Sequence, residues 1–264
     1  MAAPRIVFAG DREIAVDCLR FLTEQGVRPA ALLVASPDRA THATTLRELC
    51  AHLDERHVLV GDAFRSDEGV ELLASLGVDY VIGVHFPYLV PAEVLALPRV
   101  GAVNLHPALL PYNRGWHTPS WAILDGTPFG ATLHFMDEGV DTGDIVLQRP
   151  VEVRPDDTAH TLYQRALAAE LEVFREGWPL LASGDPPRSR QTGEGTVHRR
   201  GDLKNVQRLD LDDRLPVRDV LGRLRALTTS RVEEAAFFEV DGVRHHVQVA
   251  LARGVMHQRG EDGE

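Results

Sequence analysis

The chain opens on a buried-strand pattern at residues 5–9, apolar from Ile6 to Ala9, that stops at Gly10-Asp11-Arg12, and apolar positions then recur at Ile14, Cys18, Leu19 and Leu22 before Gly26. A short apolar run followed by spacings of three and four predicts a buried strand, a tight turn and an amphipathic helix closed by glycine. Further strand patterns fall at residues 30–35, 57–60, 80–84 and 100–105, with helical spacing at 44–53 and 67–76. Strands alternating with helices of this length predict an α/β fold built on a Rossmann-like, doubly wound, mostly parallel sheet.

The alternation continues with a short helix at 118–124 and strands at 131–135 and 145–153. Asp156, Asp157 and Thr158 then offer a capped, acidic start to a long helix reaching about residue 181. Gly184-Asp185-Pro186-Pro187 breaks the pattern, so residues 1–184 are expected to form the main domain and residues 185–253 a small C-terminal subdomain. That subdomain reads as a charged connecting stretch, a helix at 217–227 and two strands flanking Asp241-Gly242, a hairpin turn pair. Residues 254–264 read as a disordered tail.

Composition narrows the class. With 264 residues the chain can bury a full α/β core and still carry a small appendage. Its formal charge is −11, and residues 195–264 hold 12 basic and 12 acidic side chains, so the deficit sits entirely in residues 1–194. Phosphate backbones are bound by clustered Lys and Arg, so this balance argues against a nucleic-acid partner. No apolar run approaches the ~20 residues of a membrane span, and the N-terminus lacks a signal-peptide pattern, so a cytoplasmic protein without membrane contact is expected. Cys18 and Cys50 have neither C-x-x-C spacing nor secretory context, which predicts small packed side chains on helices and neither a disulfide nor a zinc site.

The chemistry concentrates between Asn104 and Asp144. Asn104 and His106 sit two apart in a predicted strand, so they leave the same face with Cα atoms roughly 6.6 Å apart. Asp141 follows the next strand and a turn at Gly139, within reach of both. An amide, an imidazole and a carboxylate are thereby placed at strand ends, the usual location of a site in an open α/β sheet. No G-x-G-x-x-G follows the first strand, which removes the main feature of a dinucleotide site. No His/Asp spacing suits a metal either.

The run Asn104-Leu105-His106-Pro107-Ala108-Leu109-Leu110-Pro111, followed by Asp137-Glu138-Gly139-Val140-Asp141-Thr142-Gly143, resembles the paired signature of the folate-dependent formyltransferases over about residues 1–191. The resemblance implies that Asn104, His106 and Asp141 are catalytic and that 10-formyltetrahydrofolate is the formyl donor. Its pterin would lie between the loop after the fourth strand, with Phe86, Tyr88, Leu89 and Val90, and the loop holding Asp137, Glu138 and Val140. Formyl transfer has an amine attack a carbonyl carbon: Asn104 can donate to the developing oxyanion, His106 can share that bond or shuttle a proton, and Asp141 can orient the ring and take the amine's proton.

Within that family the chain is most similar to the nucleotide-sugar N-formyltransferases. Methionyl-tRNA formyltransferases share the core but add a larger basic domain. The charge-balanced appendage here does not resemble it; its hairpin reads equally as a homodimer contact, as in the resembling sugar enzymes, or as a folded-back lid. The acceptor expected is a nucleotide-linked amino deoxysugar, contacted by Tyr112, Asn113, Arg114, Trp116 and His117, with Arg12 and His198 as further candidates. Another small amine such as an antibiotic precursor, methionyl-tRNA, and a catalytically silent folate- or nucleotide-binding module are the alternatives. Taken singly, His85, His117, His134 and His160 are expected to be surface or satisfied core histidines.

Overall fold

The computed structural model describes residues 3–252 and 254, so all of the expected tail but Gly254 lies outside the described residues. The first half runs β1 (Ile6–Gly10), α1 (Arg12–Glu24), β2 (Ala31–Val34), α2 (Ala43–Leu49), β3 (Val58–Val60), α3 (Asp67–Ser75), β4 (Tyr80–Val84), α4 (Ala92–Leu95) and β5 (Gly101–His106). The second runs β6 (Arg114–Gly115), α5 (Thr118–Asp125), β7 (Gly130–Phe135), β8 (Ile145–Pro150) and α6 (Ala159–Ala182). Then come β9 (Val197–His198), α7 (Lys204–Gln207), α8 (Val217–Ala226), β10 (Ala236–Val240) and β11 (Val243–Val247).

Seven strands form one sheet in the order β3-β2-β1-β4-β5-β7-β8. The first five are parallel, and β7 runs antiparallel to both β5 and β8. Alternation along the strands covers both faces. Ile6 and Phe8 face a cluster built with Leu19 and Leu22 of α1 and Val173 and Phe174 of α6, while Val7 and Ala9 face Leu73 of α3 and Val94 of α4. That is the doubly wound α/β architecture expected, and Cys18 and Cys50 pack as buried residues within it.

Chain direction across the sheet reverses at β1, which pairs with β2 on one side and β4 on the other. Crevices at such reversals open beyond the carboxyl ends of the strands. The C-terminal segment forms its own small cluster, where Leu203, Leu227 and Ala236 pack on Trp121 of α5. Its hairpin turns at Asp241 and Gly242, both in the left-handed region with φ 50° and 77°, the geometry such a pair favours. The stretch grouped with that segment in the sequence begins by clinging to the main sheet. Ser189 pairs with Ile145, and β9 pairs with β6.

Candidate active site

Asn104 and His106 occupy the last turn of pleat in β5. Asn104 lies between Gly83 of β4 and His134 of β7. A Cβ at Gly83 would stand 3.1 Å from Asn104 Oδ1, so the glycine leaves the amide its room. Asn104 Nδ2 faces His134 Nε2 at 3.4 Å.

His106 is buried, and its Nε2 lies 3.1 Å from the Asn113 carbonyl oxygen. A carbonyl only accepts, so the neutral ring carries its proton on Nε2 and its lone pair on Nδ1. The loop between the two residues is fastened to the sheet. Thr132 Oγ1 donates to Ala108 O at 2.6 Å, and Gln148 Nε2 donates to Leu110 O at 2.7 Å.

Asp141 reaches the pair from the turn after β7, with its backbone in the left-handed region at φ 52°. Its Oδ2 accepts from the Gly115 N–H at 2.9 Å and lies 3.6 Å from His106 Nε2, while Oδ1 lies 3.5 Å from His134 Nε2. Gln191 anchors the turn by donating to Asp141 O and Gly143 O, both at 2.8 Å, and is itself gripped by the Arg114 guanidinium at 2.7 Å. Glycine is required at 143, where a Cβ would come within 2.0 Å of Phe135 O.

Burial lowers the proton affinity of His106, and this outweighs the opposing pull of the Asp141 carboxylate. For Asp141 burial acts upward, yet His106, His134 and the Gly115 N–H draw its carboxyl well below the usual carboxylate range. The site therefore presents an ionised carboxylate beside a neutral imidazole near pH 7.

Five non-glycine residues around the cleft hold left-handed backbone: Arg12, His85, Asn113, His117 and Asp141, with φ from 50° to 68°. Such conformations persist where the surroundings enforce them, and they concentrate at functional sites. Arg12 opens α1 two residues beyond β1, and His85 follows β4 directly, at the reversal.

The structure brings the predicted trio together, with Arg114 behind it. Asn113 contributes its backbone carbonyl to His106 and spends its buried side chain on Thr127 and Pro128. Trp116 is 39% exposed at the rim with the Arg200 guanidinium over its ring, and Tyr112 and His117 are half-buried nearby. His198 is engaged elsewhere: it stacks on Trp121 at 3.8 Å between centroids and bonds Asp125 at 2.9 Å, so its ring holds the fold of this loop. Tyr88 is tied to Ser36 through its hydroxyl and packs on Phe64 and Phe86, leaving Leu89 and Val90 as the outer members of that loop. Asp137 folds its own turn by accepting from Gly139 and Thr142, and Glu138 and Val140 are exposed.

One expectation needs correction. His134 is buried, but its Nε2 faces Asp141 and Asn104, because its place directly opposite Asn104 in the antiparallel pairing with β5 puts both side chains on one face of the sheet. His85 bonds the buried Glu170 in the interior. Gln191 was also missed, and nothing in its local sequence marks it. Among the described residues, no group of three or more side chains has metal-binding geometry.

The "Formyl transferase" family matches residues 6–177, and "N-formyltransferase dimerization C-terminal domain" matches residues 202–253. A dTDP-4-amino-4,6-dideoxyglucose formyltransferase of Mycobacterium tuberculosis is 32% identical over 173 residues, covering 66% of this chain and 73% of its own length. A methionyl-tRNA formyltransferase of Myxococcus xanthus is 33% identical over 261 residues, covering 96% of this chain and 81% of its own length. Among solved structures, a formyltransferase from Anoxybacillus kamchatkensis in complex with UDP-4,6-dideoxy-4-formamido-L-AltNAc and tetrahydrofolate is 30% identical. It has a TM-score of 0.52 and covers 66% of this chain and 87% of its own. With a family match spanning most of the main sheet and the trio converging at its edge, this chain belongs to the formyl transferase family.

Proposed function

We propose that the protein transfers a formyl group from 10-formyltetrahydrofolate to the primary amine of a nucleotide-linked amino deoxysugar, through Asn104, His106 and Asp141. The observation that carries this reading is the convergence of the three side chains, with the Asp141 carboxylate 3.6 Å from His106 Nε2 and linked through His134 to Asn104. The donor is supported by the tetrahydrofolate in the Anoxybacillus kamchatkensis structure, and the acceptor by the sugar in it and by the amino-sugar relative. The residues fit a flat heterocycle: beside the trio, Leu89 and Val140 stand 73% and 42% exposed on the two loops assigned to the pterin, apolar surface available to cover.

The roles follow from donors and charges. Asp141 is ionised and accepts a proton from the acceptor's ammonium group, freeing the lone pair that forms the new C–N bond. Asn104 donates Nδ2–H to the formyl oxygen as negative charge builds there. His106, neutral with its lone pair on Nδ1, is suited to carry the proton to the departing nitrogen as the old C–N bond breaks. His134 donates Nδ1–H to the Phe135 carbonyl at 2.7 Å, so its Nε2 accepts from the Asn104 amide and holds it in place.

The matched dimerization domain supports a homodimer through the C-terminal segment. Among the described residues no helix is long and apolar enough to cross a membrane, in keeping with a cytoplasmic enzyme. Incubation with 10-formyltetrahydrofolate and a panel of nucleotide-linked amino sugars should give an acceptor heavier by one formyl group. The reading fails if Asn104→Ala, His106→Ala and Asp141→Ala all retain the wild-type rate. Methionyl-tRNA is the second acceptor to test, because the Myxococcus xanthus relative matches nearly the whole chain. The balanced charge of residues 195–264 weighs against it.

A further inference from the structure

We propose that Arg114 and Gln191 form a clamp that positions the Asp141 carboxylate for formyl transfer, so that the segment between the two family matches completes the active site. The clamp rests on formyl transfer through Asp141, and it gives to that turn a guanidinium expected to meet the acceptor. Gln191 lies outside both matches, which end at residue 177 and resume at residue 202. Asp141 needs such a hold, because its backbone is left-handed at φ 52°, a conformation that a non-glycine residue keeps where its surroundings enforce it.

The carbonyls of Asp141 and Gly143 both turn to one side chain, Gln191, whose Nε2 donates to each at 2.8 Å. A primary amide has two N–H donors, and both are used here. Its Oε1 accepts from Arg114 Nη2 at 2.7 Å and from Nε at 3.2 Å, a two-point grip that the planar guanidinium can give and an ammonium cannot. Backbone carbonyls only accept and a guanidinium only donates, so the amide has one orientation and the clamp one direction. Glutamate at 191 would keep the tie to Arg114 and offer the two carbonyls no donor.

The same short strand holds the other end of Asp141. Gly115, next to Arg114 in β6, donates its N–H to Asp141 Oδ2 at 2.9 Å. One dipeptide thus fixes the backbone of Asp141 through Gln191 and its carboxylate directly. The segment that carries Gln191 is pinned on both sides: Ser189 and Ile145 exchange backbone bonds at 2.9 and 2.8 Å, and Arg114 N donates to Thr196 O at 2.9 Å. β9 lies so close to β6 that a Cβ at Gly115 would stand 2.3 Å from His198 O. Between these pins residues 192–195 are exposed, while Gln191 reaches inward to the turn. With Asp141 3.6 Å from His106 Nε2 and 3.5 Å from His134 Nε2, a slip of the turn by about 1 Å would cost on the order of 10²-fold in rate.

Steady-state kinetics on the full chain, with 10-formyltetrahydrofolate and a nucleotide-linked amino sugar that the wild type formylates, provides the test. Gln191→Ala should lower kcat about 10- to 100-fold and leave both KM values within about twofold of the wild type. Gln191→Glu should lose as much, for want of donors. Arg114→Ala should lower kcat about 5- to 50-fold, again with the acceptor KM kept, and Arg114→Lys should recover part of that loss. In the Asp141→Asn background, Gln191→Ala should change the residual rate by less than about twofold, because the carboxylate it positions is gone. Arg114→Lys reads the same clamp if the Gln191 variants do not fold. A raised acceptor KM with kcat intact in Arg114→Ala makes the guanidinium an acceptor contact and overturns the clamp. Unchanged kcat in the Gln191 and Arg114 variants, or a Gln191→Ala loss that multiplies with that of Asp141→Asn, overturns it too, and all three results leave the transfer reading standing. Failure of the wild type to formylate any amine offered overturns the transfer reading and the clamp together.

Discussion

Two histidine–carboxylate groups lie at neighbouring strand ends and are built in opposite ways. At the end of β5, His106 stands 3.6 Å, and His134 of β7 beside it 3.5 Å, from a partly accessible Asp141 whose strongest bond is to a backbone N–H. At the end of β4, His85 closes to 2.8 Å on a Glu170 with no exposure at all. The first group leaves its carboxylate within reach of an incoming ammonium. The second is sealed inside the fold, where no substrate reaches it. Proximity of histidine to carboxylate therefore does not by itself identify a reacting group; access to the substrate does.

The contrast breaks most sharply by removing each carboxylate. Asp141→Asn should lower kcat by about 10²- to 10⁴-fold with the fold intact, because a general base is lost and an amide replaces it nearly isosterically. Asn104→Ala should cost about 10²- to 10³-fold as an oxyanion donor. Glu170→Ala should act on stability instead, lowering the free energy of unfolding by about 1–3 kcal/mol in a denaturant titration by leaving His85 unpartnered. An equal loss of kcat in Asp141→Asn and Glu170→Gln would erase the distinction.

pH sharpens it further. His106 is lowered from its ordinary 6.5, so kcat/KM should climb with pH along an acid limb whose apparent pKa lies below 6.5. In Asp141→Asn the carboxylate's upward pull on that ring is gone, and the residual activity should show the limb at still lower pH. The same depression enters stability. The unfolded chain binds a proton at this histidine that the folded one refuses, so stability falls as pH drops below 6.5 toward the folded value. Asp141, depressed from 3.8, adds stability that is present above 3.8 and is lost as pH falls toward its folded value.

The smallest expected effect is at His134. Its replacement by Leu should cost roughly 5- to 10-fold in kcat, about one hydrogen bond, since it holds the Asn104 amide and does not meet the substrate. A loss equal to that of His106→Ala would move His134 into the reacting set.

By itself, the sequence determined most of the scaffold and the three reacting residues. Alternating apolar runs fix which strands are buried, and a period of two puts Asn104 and His106 on one face whatever surrounds them. Both of those are local. It did not reveal that β7 runs antiparallel to β5 or that this pairing sets His134 opposite Asn104. It also gave no sign that Gln191, 50 residues beyond Asp141, anchors its turn, or that Glu170, 85 residues beyond His85, is its partner. Nor did it separate Trp116, open at the rim, from His198, stacked away on Trp121. Those outcomes depend on which elements the folded sheet brings side by side, and a bond between distant residues leaves no periodic trace along the chain. What the amine attacks with is written in two short motifs; how the carboxylates divide the work is decided by burial, which only tertiary packing confers.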